Sequence, residues 1–531
     1  MMVHRCDPAS FWRRLLYELL QSLLPLVNLY ILKLLVDNVT QAVQGGNASV
    51  CFYYLLAMVA VFLANRIVSA LNRVNNDVLT QRLIDYLSDL MQRQSAALDL
   101  AYYDTPAYHD TLHRAQQEAN TRPIQILNNF MSVFGSVLSI LGVVAMLVTA
   151  SWWVVIVMMI AVLPSFAVRL YKARSIYAFR RNNTQHYRRT AYYASLLTSR
   201  EAAKEMRTYR LAPHFRKLFV EVRSQLVDRL LHISRRLGVA DVLCGLVEAV
   251  AMLLIVWVLV RQTVAAAITL GSFVMLFEAF RRGQGYLTAL VTGIAGLYDN
   301  RLFVNNLFEF LSLKPTILSP EHPEPLPEHI ETIEFRDVTF RYPDMGHDVL
   351  SHYNLMARVG EMTRIEGRNG YGKSTLVNLL LRLYDPQQGA ILLNGMDIRR
   401  YALDDLRRHF GVLFQDFLRF NCTAAENIAF GDIEHPVTAT DTAAQAAGAD
   451  SIINQLPQSD GTLLGRLFDG GSELSMGQWQ RIAFARALYS DAPIILLDEP
   501  MAWLDTDSRD HLAQTLSTLS QNKIVIIITH T

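Results

Sequence analysis

The chain has 531 residues, of which 51% are hydrophobic and 18% charged, with a formal net charge of +1. That length calls for two or three cores rather than one, and the apolar share exceeds that of most soluble proteins. No basic surplus exists to neutralise a nucleic acid's phosphates, which excludes nucleic-acid binding; four scattered cysteines (Cys6, Cys51, Cys244, Cys422) without CxxC spacing give neither a disulfide framework nor a zinc site.

His4, Arg5, Arg13 and Arg14 come before or at the start of the first apolar run, which continues into Lys33 and Asp37 with no small-residue cleavage site. It is therefore read as an uncleaved span. A bilayer core about 30 Å thick needs roughly 20 apolar helical residues. Six stretches come close: about Leu15–Val36, Val50–Val68, Phe130–Ala150, Trp152–Val168, Val239–Val260 and Ala267–Tyr298. The second is short. The sixth is broken by Arg281, Arg282, Gly283, Gln284 and Gly285, and each arginine costs about 2.5–3.5 kcal/mol at mid-membrane. These residues either kink and hydrate the helix or line a polar translocation cavity, with Glu278 and Glu248 as ion-pair partners.

Basic residues cluster after the second and fourth spans (Arg169, Lys172, Arg174, Arg180, Arg181, Arg188, Arg189) and are sparse in the alternate turns. By the positive-inside rule both termini are cytoplasmic, and the expected location is the cell (inner) membrane. Residues 72–125 and 172–236 favour helix but are too polar for lipid, so they extend membrane helices well beyond the bilayer. Thr105 as N-cap with Pro106 in the first turn marks a restart in the first segment, and Arg210-Leu211-Ala212-Pro213 a break in the second. Both segments read either as solvated hairpins or as coupling elements that touch a downstream domain. Pro315, Pro320, Pro323, Pro325 and Pro327 then forbid helix. The expected organisation is a transmembrane domain over 1–312, a linker over 313–329 and a nucleotide-binding domain over 330–531.

Alternation over Ile333–Phe340 predicts a half-buried strand. Gly367-Arg368-Asn369-Gly370-Tyr371-Gly372-Lys373-Ser374-Thr375 fits G-x-x-x-x-G-K-[ST], between a short strand (Met362–Ile365) and an apolar helix (Leu376–Leu383). Its glycines let backbone N–H groups curl around phosphate oxygens. Lys373 reaches the β- and γ-phosphates, and the Ser374 hydroxyl ligates Mg²⁺. Arg364 is out of place in a buried parallel strand. The run Ile494-Ile495-Leu496-Leu497-Asp498-Glu499 reads as a strand buried on both faces with carboxylates at the ligand edge. Asp498 is placed for the magnesium shell and Glu499 for polarising the attacking water.

Leu474-Ser475-Met476-Gly477-Gln478, directly before the helical run Trp479–Leu488, resembles the LSGGQ signature of ABC (ATP-binding cassette) ATPases. The resemblance extends over the whole chain, which looks like an exporter-type half-transporter: an α-helical transmembrane bundle fused to an α/β P-loop ABC ATPase domain. It implies that Tyr342 stacks on adenine and that Gln415 senses magnesium and the membrane domain. It also implies that Asp505 crosses to the partner subunit and that His530 contacts the γ-phosphate as a switch. Ser475 and the Gly477 amide, at a helix start rich in unpaired N–H groups, cap ATP held by the other subunit's Gly367–Thr375 loop.

Two ATPs would thus be sandwiched in a homodimer or a heterodimer with a related chain, driving export of a small molecule, lipid or peptide by alternating access. The rival reading is a membrane receptor or regulator that binds ATP without transport. Met476 stands where the family has glycine, and Met501, Ala502 and Trp503 replace small or hydroxyl residues near the partner-facing loop. Family members continue for several tens of residues past the switch histidine, so the resemblance implies either a truncated ATPase domain, the reading preferred here, or one that a partner completes.

Overall fold

The computed structural model describes residues 6–44, 49–105, 122–148, 152–343, 345–367 and 372–529. The chain forms two compact units. One holds most of the chain up to Ser312; the other runs from Leu313 onward and also takes in a segment that begins at Ala96.

The first unit is helical: α1 (Pro8–Val43), α2 (Ser49–Ala97), α4 (Arg122–Val148), α5 (Trp152–Asn182), α6 (Thr184–Thr198), α7 (Ala203–Thr208), α8 (Ala212–Val264), α9 (Leu270–Asp299) and α10 (Arg301–Ser312), with α3 (Leu100–Asp104) assigned to the second unit. Asp7 caps α1 by accepting from the Ser10 amide at 3.1 Å, and Pro8 occupies the first turn, where its missing N–H costs nothing. Along α4 the buried residues Leu127, Met131, Gly135, Ser139, Val143 and Leu147 recur every fourth position, one face of a 3.6-residue helix. That face meets α1 and α9 in a core of Leu26, Leu29, Val143, Leu147, Leu276 and Phe280.

Among the described residues α1, α2, α4 and α8 are long and apolar enough to cross a membrane. The fourth and sixth expected spans are also helical, within α5 and α9, but the count of six is not carried by length and composition alone. In α2 the most apolar 18-residue window is 0% buried. A row that includes Phe52, Leu55, Val59 and Phe62 is exposed, apolar surface that suits lipid and not water.

The expected helical extensions are present. α2 runs 49 residues and α8 runs 53, about 75–80 Å each. The break at 210–213 is real: α7 ends at Thr208, Arg210 takes a left-handed φ of 54°, and α8 starts at Ala212. In the first extension Thr105 follows α3 as its C-cap, in extended conformation; the restart expected at Pro106 lies outside the described residues. In α9, Arg281 donates to Glu278 through Nε at 3.2 Å and an η nitrogen at 2.8 Å, the partner expected. Glu248 does not join them; it accepts from the Ser165 hydroxyl at 2.5 Å, because α8 packs on α5 there.

The second unit has two sheets. One is antiparallel, in the order β2 (Leu350–Arg358), β1 (Thr332–Phe340), β4 (Gln388–Leu393), β5 (Met396–Asp397). The other is parallel: β3 (Met362–Glu366), β8 (Ile524–Thr529), β7 (Ile494–Asp498), β6 (Phe410–Leu413). All five residues of β7 are buried, as an internal parallel strand requires. β3 lies at the sheet's edge, which corrects the expectation that made Arg364 anomalous: the residue is exposed. Around the sheets stand α11 (Lys373–Leu380), α12 (Ala424–Ala429), α13 (Met476–Tyr489) and α14 (Thr506–Leu519).

The segment containing α3 is anchored to this unit. Leu100 and Ala101 pack on the cluster that includes Phe340 and Tyr384. The Asp99 carboxylate accepts from the Thr316 hydroxyl at 2.7 Å, and the Tyr384 hydroxyl donates to Asp104. Burial first, then this carboxylate, pushes the Tyr384 phenol above its ordinary range. Asp104→Ala leaves a buried phenol without its acceptor and is expected to cost about 1–2 kcal/mol locally. Limited proteolysis of the full-length protein should then cut faster between Ala96 and Thr105; an unchanged cleavage rate would contradict the anchoring.

Candidate functional site

A cleft of about 440 Å³ opens at the C-terminal edge of the parallel sheet. It is lined by Tyr342, Gly372, Lys373, Ser374, Thr375, Gln415, Asp498 and Glu499. Gly372 is the N-cap of α11 with φ 80°, a left-handed geometry that glycine adopts without strain. The first turn of α11 therefore faces the cleft with backbone N–H groups that have no intrahelical acceptor. Gly367 ends the strand side of this loop; Arg368, Asn369, Gly370 and Tyr371 lie outside the described residues, as does His530. The Lys373 side chain is buried, and its ammonium donates to the Gly367 carbonyl at 2.8 Å and the Thr529 carbonyl at 3.1 Å. Those acceptors hold the cation in the cleft.

Opposite stand the acids. Asp498 closes β7 and is buried at 6% exposure; Glu499 follows it in a left-handed conformation, φ 52°. For a glutamate this costs about 1–3 kcal/mol and persists only where the surroundings dictate it. They do: the Glu499 N–H donates to the Ile528 carbonyl at 3.0 Å, and its carbonyl accepts from the Gln480 amide at 3.0 Å. Gln415, exposed in the loop beyond β6, reaches the same cleft.

Tyr342 follows β1. Its ring meets Phe340 and Tyr384 edge-on, with centroids 4.9 and 5.2 Å away, and its hydroxyl shares a hydrogen bond with Thr375 at 3.1 Å. Met345, His347 and Val349 complete this wall from the β1–β2 connection. No motif marks them in the sequence.

Ser475, Gly477, Gln478 and Asp505 line a separate cleft of about 250 Å³ on the same unit, and none of them lines the first. Ser475 is the N-cap of α13 in a reciprocal box. Its hydroxyl accepts from the Gln478 amide at 3.3 Å, and its own N–H donates to the Gln478 side chain at 2.9 Å. The motif glutamine is thus a capping residue in this fold. Gly477 must be glycine, since a Cβ there would sit 2.5 Å from the Trp503 carbonyl. Met476 turns outward at 39% exposure. Asp505 caps α14 by accepting from the Ser508 amide at 3.0 Å; the Ser508 side chain first, then this amide, holds its carboxyl below the usual range.

Two residues outside the expected set knit these parts together. Gln480, 3% exposed, donates to the Glu499 carbonyl and accepts from the Trp503 amide at 3.3 Å, so one α13 side chain ties the acid-bearing turn to the Asp505 loop. Arg486 donates to the Asn427 carbonyl at 2.7 Å and the Leu418 carbonyl at 3.2 Å while lying over the Phe420 ring at 4.7 Å. Burial pulls its pKa down to about 10. It fastens the segment after Gln415 to the helix that starts at Met476. In sequence both look like ordinary polar residues of an amphipathic helix.

Residues 350–502 match the family described as ABC transporter. The subtilin transport ATP-binding protein of Bacillus subtilis is 26% identical over 535 residues, which covers 100% of this chain and 86% of that protein. An ATP-dependent lipid A-core flippase of Vibrio cholerae serotype O1 is 30% identical over 395 residues, 74% of this chain and 66% of its own length. A solved bacterial Atm1-family ABC exporter with ATP bound superposes with a TM-score of 0.80 at 22% identity, over 99% of this chain and 92% of that one.

Gly477→Ala should drive the Trp503 carbonyl, and the Asp505 loop with it, out of place. The expected result is at least a tenfold fall in ATP hydrolysis, about 1.4 kcal/mol or more of lost transition-state stabilisation. Hydrolysis at the wild-type rate would contradict this.

Proposed function

The chain belongs to the ABC transporter family, as an exporter-type membrane protein with a fused ATPase domain that binds and hydrolyses ATP, and on that premise we propose that it exports its cargo by alternating access as a dimer with two ATPs sandwiched between ATPase domains. The observation that carries this reading is the separation of the two clefts. The lysine-loop cleft and the Ser475 cleft share no residue, so one chain holds two half-sites and a facing chain supplies what each lacks. The second chain is either an identical copy or a related half-transporter. The ATPase domain faces the cytoplasm, and the membrane is the cell (inner) membrane.

At the composite site Lys373 and the N–H groups opening α11 bind the β- and γ-phosphates, and Tyr342 receives the adenine. The facing chain's Ser475 and Gly477 close over the γ-phosphate, with Gln478 holding that helix start in shape. Asp505 sets the loop between the two sites, and His530 contacts the γ-phosphate. Gly367, Arg368, Asn369, Gly370, Tyr371, Gly372 and Thr375 complete the cradle. The donor set of Ser374, Gln415 and Asp498, one hydroxyl, one amide and one carboxylate, suits a hard oxygen-binding cation; Mg²⁺ held there would offset charge on the phosphate oxygens. Glu499 orients water and accepts its proton as the oxygen attacks the γ-phosphorus, while the bond to the β–γ bridging oxygen breaks and ADP departs. The backbone clamp on Glu499 fixes where its side chain starts before nucleotide arrives, which limits the reorganisation needed at the moment of reaction.

To move a conformational equilibrium from 1:99 to 99:1, ATP must favour the closed dimer by about 5.5 kcal/mol. Charge-assisted contacts to two nucleotides are of that order. Opening and closing then reach the membrane helices through the segments that extend beyond the bilayer, the α3 segment among them.

Glu499→Gln should retain ATP affinity and lower turnover at least 100-fold, the usual share of a general base; wild-type turnover in detergent would remove Glu499 from its role. Lys373→Ala should weaken nucleotide binding itself, measured by equilibrium titration of the full-length protein; an unchanged dissociation constant would contradict the phosphate-loop assignment.

A further inference from the structure

Stacking on a base engages an aromatic ring, and a phenylalanine would serve. The Tyr342 hydroxyl is nevertheless committed: it accepts from the Asn378 side-chain amide at 3.3 Å and shares a hydrogen bond with the Thr375 hydroxyl at 3.1 Å. Thr375 and Asn378 stand three residues apart on α11 and so share one face of it. The same helix carries Lys373 in its first turn. Burial does not force these bonds, because Tyr342 is only half-buried and lines the cleft, where water could serve its hydroxyl.

The rest of the tyrosine is held as well. Gln387 brackets the backbone of the preceding residue: its side-chain oxygen accepts from the Arg341 N–H at 2.8 Å, and its amide donates to the Arg341 carbonyl at 2.8 Å. Phe340 and Tyr384 meet the ring at interplanar angles of 83° and 86°. Backbone, ring and hydroxyl are thus each tied down, and the hydroxyl tie runs to the helix that begins at Lys373.

We infer that Asn378 is a positioning residue for base recognition: with Thr375 it pins the Tyr342 ring to α11, so that the surface for the base and the turn for the phosphates are one element before nucleotide arrives. This rests on the reading that Tyr342 receives the adenine, and it adds a residue that lies beyond the Gly367–Thr375 motif. A ring fixed in advance loses little freedom when the base docks. Asn378 therefore raises affinity for a ligand that carries a base, not for phosphates alone, and it acts only through the Tyr342 hydroxyl.

The test is equilibrium titration of the full-length protein with ATP and with inorganic tripolyphosphate, alongside steady-state hydrolysis. Asn378→Ala should raise the Kd and KM for ATP about three- to tenfold, the scale of one hydrogen bond. Both kcat and tripolyphosphate affinity should stay within twofold of wild type. Tyr342→Phe should reproduce the shift, and the double variant should bind ATP no more weakly than either single one, since both remove the same bond.

An Asn378 that only supported the fold would lower tripolyphosphate binding together with ATP binding and would add to Tyr342→Phe; either result overturns the proposal. So does wild-type ATP affinity in Tyr342→Phe, which decides alone should Asn378→Ala not elute as folded protein in size-exclusion chromatography. Tyr342→Ala separates the two levels of failure. Unchanged ATP affinity there removes the adenine reading itself, whereas a loss there with none in Tyr342→Phe removes only the pinning.

Discussion

The structure depends on one constraint: an ammonium held at the floor of a cleft by backbone carbonyls, facing two carboxylates fixed at the end of a wholly buried strand. β7 is buried along its length, so the backbone that carries Asp498 cannot move without moving the sheet, and the Glu499 N–H next to it is bonded to the Ile528 carbonyl of β8. Lys373 is held by the Gly367 carbonyl and by the Thr529 carbonyl at the end of β8, the strand paired with β7. Cation and anions thus share one support, so under the proposed function a nucleotide entering between them meets charges already in position.

From that support the rest of the ATPase unit follows. Gln480 carries the position of the Glu499 turn into α13 and the Trp503 loop, and Arg486 carries the segment after Gln415 into the same helix. The helix that starts after Ser475, which in the proposed dimer faces the other chain, is therefore tied to the acid and the segment after the glutamine of its own chain. In the proposed dimer, that gives a change at one nucleotide a mechanical path to the half-site offered to the other.

Much of this was legible in the residues. The glycine-lysine loop, the acid-tipped apolar run and the LS-x-GQ sequence each carry a local chemical reason for their composition, and the strands and helices around them fall where periodicity puts them. What stayed hidden has a common cause. Gln480 and Arg486 act through burial and long-range contacts that no local pattern encodes. Arg364 looked anomalous because sequence does not tell an edge strand from a central one. The second function of Gln478, as a capping partner of Ser475, was masked by its place in a motif read for phosphate contacts. In the helical unit the polar patch that drew notice at Arg281–Gly285 has a local partner in Glu278, whereas Arg14, Glu18 and Asn72, spread over two helices, meet only once the chain is folded.

The facing of the two half-sites across chains is tested most directly by cross-linking. Met345 lines the lysine-loop cleft and Met476 the serine cleft, and both are exposed. With the four native cysteines replaced, protein carrying Met345→Cys and Met476→Cys should be joined chain to chain by a short bis-maleimide when ATP is bound, and far more slowly without it. Cross-links that form equally fast with and without ATP, or only within one chain, would contradict the shared site.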